Sequence, residues 1–223
     1  PFVGLMAVRL DAMGVLPLDT TLAQVFPEMR VAGVDMTAIT MRRLLTHRLG
    51  FRARALNIRT AYTDLVPVDS YSAIVSAAGE PIKEDFSYDN LGYLLYAAAL
   101  ERKTGRSWRS WIDDVVFDPL GLHHSSARTS DFDEVSHLHE RYEDGWRTYA
   151  PITDQIMHAA GGLVVSAADM ARWLDANIGG KSAIPAGQFT TAQSAQVALS
   201  LEQGPIKCTG YTFGWRSCEG MGE

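Results

Sequence analysis

The chain has 223 residues, 47% of them hydrophobic, and a formal charge of −6. That apolar content suffices for a buried core and excludes a disordered polypeptide, and an acidic chain without a Lys/Arg run is not a nucleic-acid binder. No apolar run reaches the ~18 residues of a spanning helix, and the two cysteines, Cys208 and Cys218, make at most one bridge rather than a disulfide framework.

Helix signals dominate. Val3, Leu5, Met6, Val8 and Leu10 form a segment apolar on most sides, which predicts a buried helix stopped by Gly14. Asp19 or Thr20 is placed to cap a short helix through Val25, closed by Pro27. Thr40 caps a helix over 41–47, with Leu44 and Leu45 inward and Gly50 beyond its end. Residues 52–84 alternate weakly between polar and apolar, with one helix expected over 69–78. Ser87 or Asp89 caps the next helix, whose core face is Leu91, Leu94, Leu95 and Ala98; Arg102 and Lys103 suit its negative end and Gly105 stops it. Ser107 caps a helix carrying Trp108, Trp111, Ile112 and Val115, terminated by Pro119 and Gly121. Residues 122–156 are rich in turn formers and predict short strands or a long excursion. Ser166 with Asp169 approximates a capping box, for a helix buried through Met170, Trp173 and Leu174. A helix over 188–201 and a strand over 211–216 complete the expected elements.

The run Phe86-Ser87-Tyr88-Asp89-Asn90-Leu91-Gly92 sets a phenol and a carboxamide two positions apart where an apolar helix begins. Tyr88 can pass a proton, but with an ordinary pKa near 10 it needs a neighbouring cation to act as a base near neutral pH. Asn90 can donate to a carbonyl oxygen and accept from an ammonium. Their bland roles are a buried tyrosine with a locally satisfied hydroxyl and a helix cap. Asp89 is better suited to capping than to catalysis, and His47 to a structural role at its helix end. His123, His124, His137 and His139, with Asp131, Asp133 and Glu134, are donor types that zinc takes. They lack a His-Glu-x-x-His pattern and read as a polar surface excursion, so no metal ligand and no cofactor is assigned. Arg42, Arg43, Arg48, Arg52 and Arg54 read as a solvated helix end and loop.

Tyr88-x-Asn90 ahead of an apolar helix resembles the second motif of the serine β-lactamase and penicillin-binding protein superfamily, whose related form is Ser-Asp-Asn. Tyrosine in the first position is similar to class C β-lactamases and the esterases that look like them. Further similar segments follow in the family's order: Leu16-Pro17-Leu18-Asp19 with Phe26-Pro27-Glu28-Met29, then Leu44-Leu45-Thr46-His47 with Gly50-Phe51, then Gly161-Gly162-Leu163 with the stretch from Ser166 to Trp173. After His47 the family's Thr-Ser-Gly is replaced by Arg48-Leu49-Gly50. The resemblance spans nearly the whole chain. It implies a mainly α chain, the helical lobe of the α+β β-lactamase/transpeptidase-like fold, with only part of the antiparallel sheet. It implies one domain over 1–223, incomplete at both ends, with apolar surface exposed where the sheet belongs. It implies Tyr88 as the catalytic proton relay, Asn90 as a substrate-binding group, and Trp146 and Tyr149 as cleft-lining residues. The substrate would be a small-molecule ester, β-lactam or D-amino-acid peptide, cleaved through an acyl-enzyme on a serine.

Two family motifs are missing. Ser-x-x-Lys is absent, because Lys83, Lys103, Lys181 and Lys207 follow Glu80, Leu100, Ile178 and Gly204 at that spacing. Lys207-Cys208-Thr209-Gly210 imitates the third motif, Lys-Thr-Gly, with one residue inserted and on the wrong side of 211–215. The family places its lysine directly ahead of the position matching Pro1, so we expect a fragment whose nucleophile lies upstream. The alternatives are a binding or scaffold protein without the nucleophile and, on the histidines alone, a metal-dependent hydrolase. Localisation stays open.

Overall fold

A computed structural model describes residues 1–63, 66–203 and 206–219. Its centre is α1 (Phe2–Ala12), in which Phe2, Val3, Leu5, Met6, Ala7, Val8 and Leu10 are all buried, as a helix apolar on most sides requires. Gly4 is needed there for a spatial reason: a Cβ would lie only 1.9 Å from the Phe213 carbonyl oxygen. Gly14 follows with a positive φ of 69° and turns the chain.

The short α2 (Leu22–Val25) is capped by neither Asp19 nor Thr20 but by Thr21, whose side chain and that of Gln24 form a reciprocal capping box. Thr40 caps α3 (Met41–Leu45) as expected, though the helix ends two residues before His47. A tiny antiparallel pair, β1 (Phe51–Arg52) with β2 (Glu80–Pro81), brackets α4 (Arg54–Tyr62) and α5 (Tyr71–Ala78). The α5 helix, entered through a 3-10 turn at Val68–Ser70, answers the helix expected over 69–78. Nothing in the weak pattern of 52–84 predicted α4, which buries only Leu56 and Thr60.

The longest helix is α6 (Leu91–Thr104), with ten consecutive buried residues from Leu91 to Leu100 and Gly105 in the left-handed conformation at its end. It packs on α3 so closely that a Cβ on Gly92 would sit 2.0 Å from the Leu44 carbonyl oxygen. Ser107 caps α7 (Trp108–Ile112), which runs on through a wider π turn at Asp113–Phe117 into the single turn α8 (Asp118–Leu120).

The irregular stretch after residue 122 holds β3 (Ser125–Ser126), paired with the later β6 (Val164–Val165), and an exposed hairpin of β4 (Leu138–Tyr142) and β5 (Gly145–Tyr149). Ser166 caps α9 (Ala167–Asn177) by accepting from the Asp169 amide. Its buried face is Asp169, Trp173 and Ala176, not Met170 and Leu174. Met170, Leu174 and Ile178 stand at helical spacing on the open side, 37%, 47% and 84% exposed. The helix expected over 188–201 is instead α10 (Ala186–Gln193) followed by a strand, β7 (Val197–Gln203).

That strand joins β8 (Ile206–Tyr211) and β9 (Arg216–Glu219) in an antiparallel sheet of order β7-β8-β9. The strand expected over 211–216 is the turn between β8 and β9. There the Thr212 amide donates to the Trp215 carbonyl, and Gly214 has φ 96°. Cys208 and Cys218 face each other across β8 and β9 as a disulfide, which resolves a pairing the sequence left open. The result is a mainly helical body with one three-stranded sheet among its small sheets, as the resemblance implied. Among the described residues no helix is long and apolar enough to cross a membrane.

Candidate active site

The start of α1, the residue His47 just past α3, the loop before α6, the segment 159–165, the first turn of α9 and the β8–β9 turn converge on one cleft of about 330 Å³. Pro1, His47, Tyr88, Asn90, Tyr211 and Gly214 are among the residues that line it, as are Gly161, Leu163 and Met170. The two residues singled out from the sequence, Tyr88 and Asn90, therefore line the same cleft. Close backbone approaches hold the walls in place. A Cβ on Gly214 would meet the Pro1 nitrogen at 2.5 Å, and one on Gly162 the His158 nitrogen at 2.4 Å.

Tyr88 is not the buried tyrosine of its bland reading, since it is 61% exposed at the cleft. Asn90 occupies the N-cap position of α6, yet its side chain makes no capping hydrogen bond. Asp89 does that work. Its Oδ1 accepts from the Leu91 amide at 2.7 Å and from the Asn57 side-chain amide. The Asn90 carboxamide is thereby left for the cleft.

Behind Tyr88 lies a cluster that sequence reasoning did not assemble. His47 is 2% exposed and carries φ 56°, in the left-handed region. Its ring centroid is 4.4 Å from that of Tyr88, 4.9 Å from Tyr211, 5.6 Å from Tyr93 and 5.9 Å from Phe86. Nε2 lies 2.8 Å from the Tyr211 hydroxyl. Nδ1 sits against the Asp89 backbone, 3.0 Å from its carbonyl oxygen and 3.2 Å from its amide nitrogen. Burial pushes the imidazole down to about 4, outweighing the upward pull of Asp89, so the ring is neutral at pH 7. A neutral ring carries one N–H, so if Nδ1 donates to the Asp89 carbonyl, Nε2 accepts from Tyr211. Burial also raises the Tyr211 phenol, to about 12, and holds Tyr93 well above the ordinary tyrosine value. The Tyr93 hydroxyl donates to the Leu45 carbonyl at 3.2 Å, tying α6 back to α3. The signal for His47 was present in its Leu-Leu-Thr-His segment. Tyr211 offered none, being 164 positions away.

Other candidates fall elsewhere. Trp146 and Tyr149 stand on the β4–β5 hairpin, 68% and 42% exposed, and do not line the cleft. Lys207 is exposed on β8, four residues from Tyr211, about 13 Å along an extended strand, and is absent from the cleft lining. Among the described residues no three His, Cys, Asp or Glu side chains are grouped to hold a metal. The arginines of 42–52 are paired with carboxylates: Arg42 with Asp19, Arg43 and Arg48 with Asp85, Arg52 with Glu80.

The cleft thus holds an exposed phenol and a carboxamide without a capping bond, backed by a neutral imidazole. Comparison with known proteins gives it a context. Penicillin-binding protein 4 of Amycolatopsis lactamdurans is 29% identical over an alignment of 228 positions that covers 94% of this chain and 58% of that protein. A D-stereospecific amidohydrolase from Streptomyces sp. superposes with a TM-score of 0.72 at 20% identity, over 94% of this chain and 66% of its own. The octameric penicillin-binding protein homologue from Pyrococcus abyssi does so with 0.72 at 23% identity, over 96% and 50%. The chain thus spans less than two thirds of the curated relative's length. The Beta-lactamase family model matches residues 1–219, and the chain belongs to that family, within the serine β-lactamase and penicillin-binding protein superfamily.

Proposed function

We propose that this chain supplies the tyrosine–asparagine wall of a serine hydrolase that cleaves a small ester or amide through an acyl-enzyme. The observation that carries the reading is the shared cleft: Tyr88 and Asn90 line it together, and Asp89 has taken over the capping that would otherwise occupy Asn90. A serine hydroxyl attacking a carbonyl must shed a proton, and the tetrahedral oxyanion must be held by donors. Tyr88 would take that proton and pass it to the leaving group. Asn90 would hold the substrate carbonyl or amide by its NH₂ and accept from an ammonium by its oxygen. Both roles require a serine and a cation in the same cleft. Pro1 and Tyr88 line the same cleft. Esters, β-lactams and D-amino-acid peptides or amides share this chemistry, and the shape of the pocket chooses among them.

A second reading has one observation in its favour: the 223 residues contain no Ser-x-x-Lys. It makes the protein a binding module with the scaffold and without the reaction. Labelling the natural protein that carries this chain with a fluorophosphonate or a fluorescent penicillin separates the two. Covalent labelling, lost in Tyr88→Phe with the fold intact, supports the hydrolase. Reversible binding without any covalent adduct, over a panel of esters, β-lactams and D-amino-acid amides, leaves the binding module standing.

A further inference from the structure

We infer that His47 is the positioning residue of the Tyr88–Asn90 pair: it clamps the loop that carries them and ties that loop to the sheet through Tyr211. The inference rests on the hydrolase reading and assigns a part to a residue that reading does not use.

Three contacts join His47 to the loop. Its carbonyl accepts from the Ser87 amide at 2.9 Å. Its Nδ1 is seated on the Asp89 backbone at 3.0–3.2 Å. Its ring lies against that of Tyr88 at 4.4 Å with an interplanar angle of 38°. Between them these contacts hold three successive residues, Ser87, Tyr88 and Asp89, directly ahead of Asn90. A phenol as exposed as Tyr88 has few other neighbours to choose its rotamer. On its other side the imidazole reaches β8, because Nε2 meets the Tyr211 hydroxyl at 2.8 Å. His47 thus links the lobe to the sheet at the cleft, beside the Phe86–Tyr211 ring contact at 5.5 Å and the close approach of Gly214 to Pro1. Both ring nitrogens are engaged, so the ring is not free to take a proton from substrate and acts through Tyr88.

The backbone of His47 points the same way. Its φ of 56° is the one left-handed value at a non-glycine among the described residues. Such conformations persist where the surroundings over-determine them and gather at functional sites. Here the strained residue is the one whose carbonyl and ring both grip the loop.

The test uses the natural protein that carries this chain, with a p-nitrophenyl ester as substrate and a fluorophosphonate to count active sites. His47→Asn keeps an amide near the Nδ1 position and tolerates a left-handed φ. His47→Gln places its amide near the Nε2 position and gives up the loop. Tyr211→Phe removes one oxygen and keeps the buried ring. We expect His47→Gln to lower kcat per titrated site about 10²-fold, the cost of a roughly 1 Å misplacement, with little change in KM. We expect His47→Asn to recover most of that loss and Tyr211→Phe to fall between. Wild-type kcat per site in all three, with only a lowered melting temperature, makes His47 purely structural and overturns the inference; so does equal kcat for Asn and Gln. If neither His47 variant folds, unchanged kcat in Tyr211→Phe overturns it alone. Full activity in Tyr88→Phe defeats the hydrolase reading and this inference with it. Loss in Tyr88→Phe, with no effect at His47 or Tyr211, defeats this inference only.

Discussion

Gly92→Ala pits two physical effects of opposite sign against each other. In an open helix interior alanine is favoured over glycine by about 1 kcal/mol. At Gly92 the added Cβ meets the Leu44 carbonyl oxygen at 2.0 Å. An ordinary carbon–oxygen contact needs about 3.3 Å, so α3 and α6 would have to part by roughly 1.3 Å. The Leu44 oxygen is main chain, so no rotamer relieves the clash. Overpacking a well-filled core costs about 1–3 kcal/mol and occasionally more, and a backbone clash belongs at the upper end. The net loss is about 2 kcal/mol, which for a chain of this size lowers the melting temperature by roughly 4–8 °C. Gly187→Ala is the matched control, because a Cβ there meets nothing within 4 Å; it should raise the melting temperature slightly. Thermal unfolding by circular dichroism reads both. A Gly92→Ala protein that melts at or above the wild type refutes the close approach of α6 to α3.

Asp169 is fully buried and accepts from the His124 amide at 2.7 Å, the Ser125 hydroxyl at 2.9 Å and Arg172 at 2.7 Å. Asp169→Ala should cost about 3 kcal/mol, since it removes the one buried acceptor shared by the His124 amide, the Ser125 hydroxyl and Arg172, at about 1 kcal/mol each. Arg172→Ala should cost under about 1 kcal/mol because that guanidinium is 56% exposed; urea midpoints compare them, and equal losses would contradict the assignment. Asp154 should contribute to acid sensitivity. Burial works against its ionisation, but the hydroxyls and amides of Thr129 and Ser130 outweigh it and hold the carboxyl down to about 2. Its folded value is thus below the ordinary value of about 3.9. The stability it contributes is complete above about pH 4 and lost as pH falls toward 2. Asp154→Asn should flatten the urea midpoint over that window, and an unchanged acid slope would show that other carboxylates control it.

The parts of the fold legible in the sequence are those whose own residues decide their conformation. The α1 helix is apolar on most sides, with Arg9 and Asp11 near its end, and its place is the core. Thr40, Ser107 and Ser166 each cap the helix they precede, because a cap is a local bond. The α4 helix was invisible because two buried residues in nine leave no periodicity to find. Residues 197–203 carry helix formers, Ala198, Leu199, Leu201 and Glu202, and are a strand only because β8 pairs with them. The aromatic run after Tyr211 looks extended, yet it turns where Gly214 takes a positive φ against Pro1. Met170 and Leu174 are apolar and exposed, and hydrophobicity alone does not say which face of α9 meets the core.

The candidate site divides along the same line. Asp89 and Asn90 are both good capping residues, and composition does not choose between them. The choice follows from geometry: the Leu91 amide and the Asn57 side chain both donate to Asp89 Oδ1. One cap is enough for the first turn, so the neighbouring carboxamide is spared. Asn57 belongs to α4, the helix that gave no signal, and the freedom of Asn90 thus depends on an element the sequence hid. His47 repeats the pattern. Its segment is recognisable, but its partners are Asp89, 42 positions on, and Tyr211, 164 positions on. Motifs record the groups that face the cleft. The contacts that aim those groups are long-range, and folding brings them together.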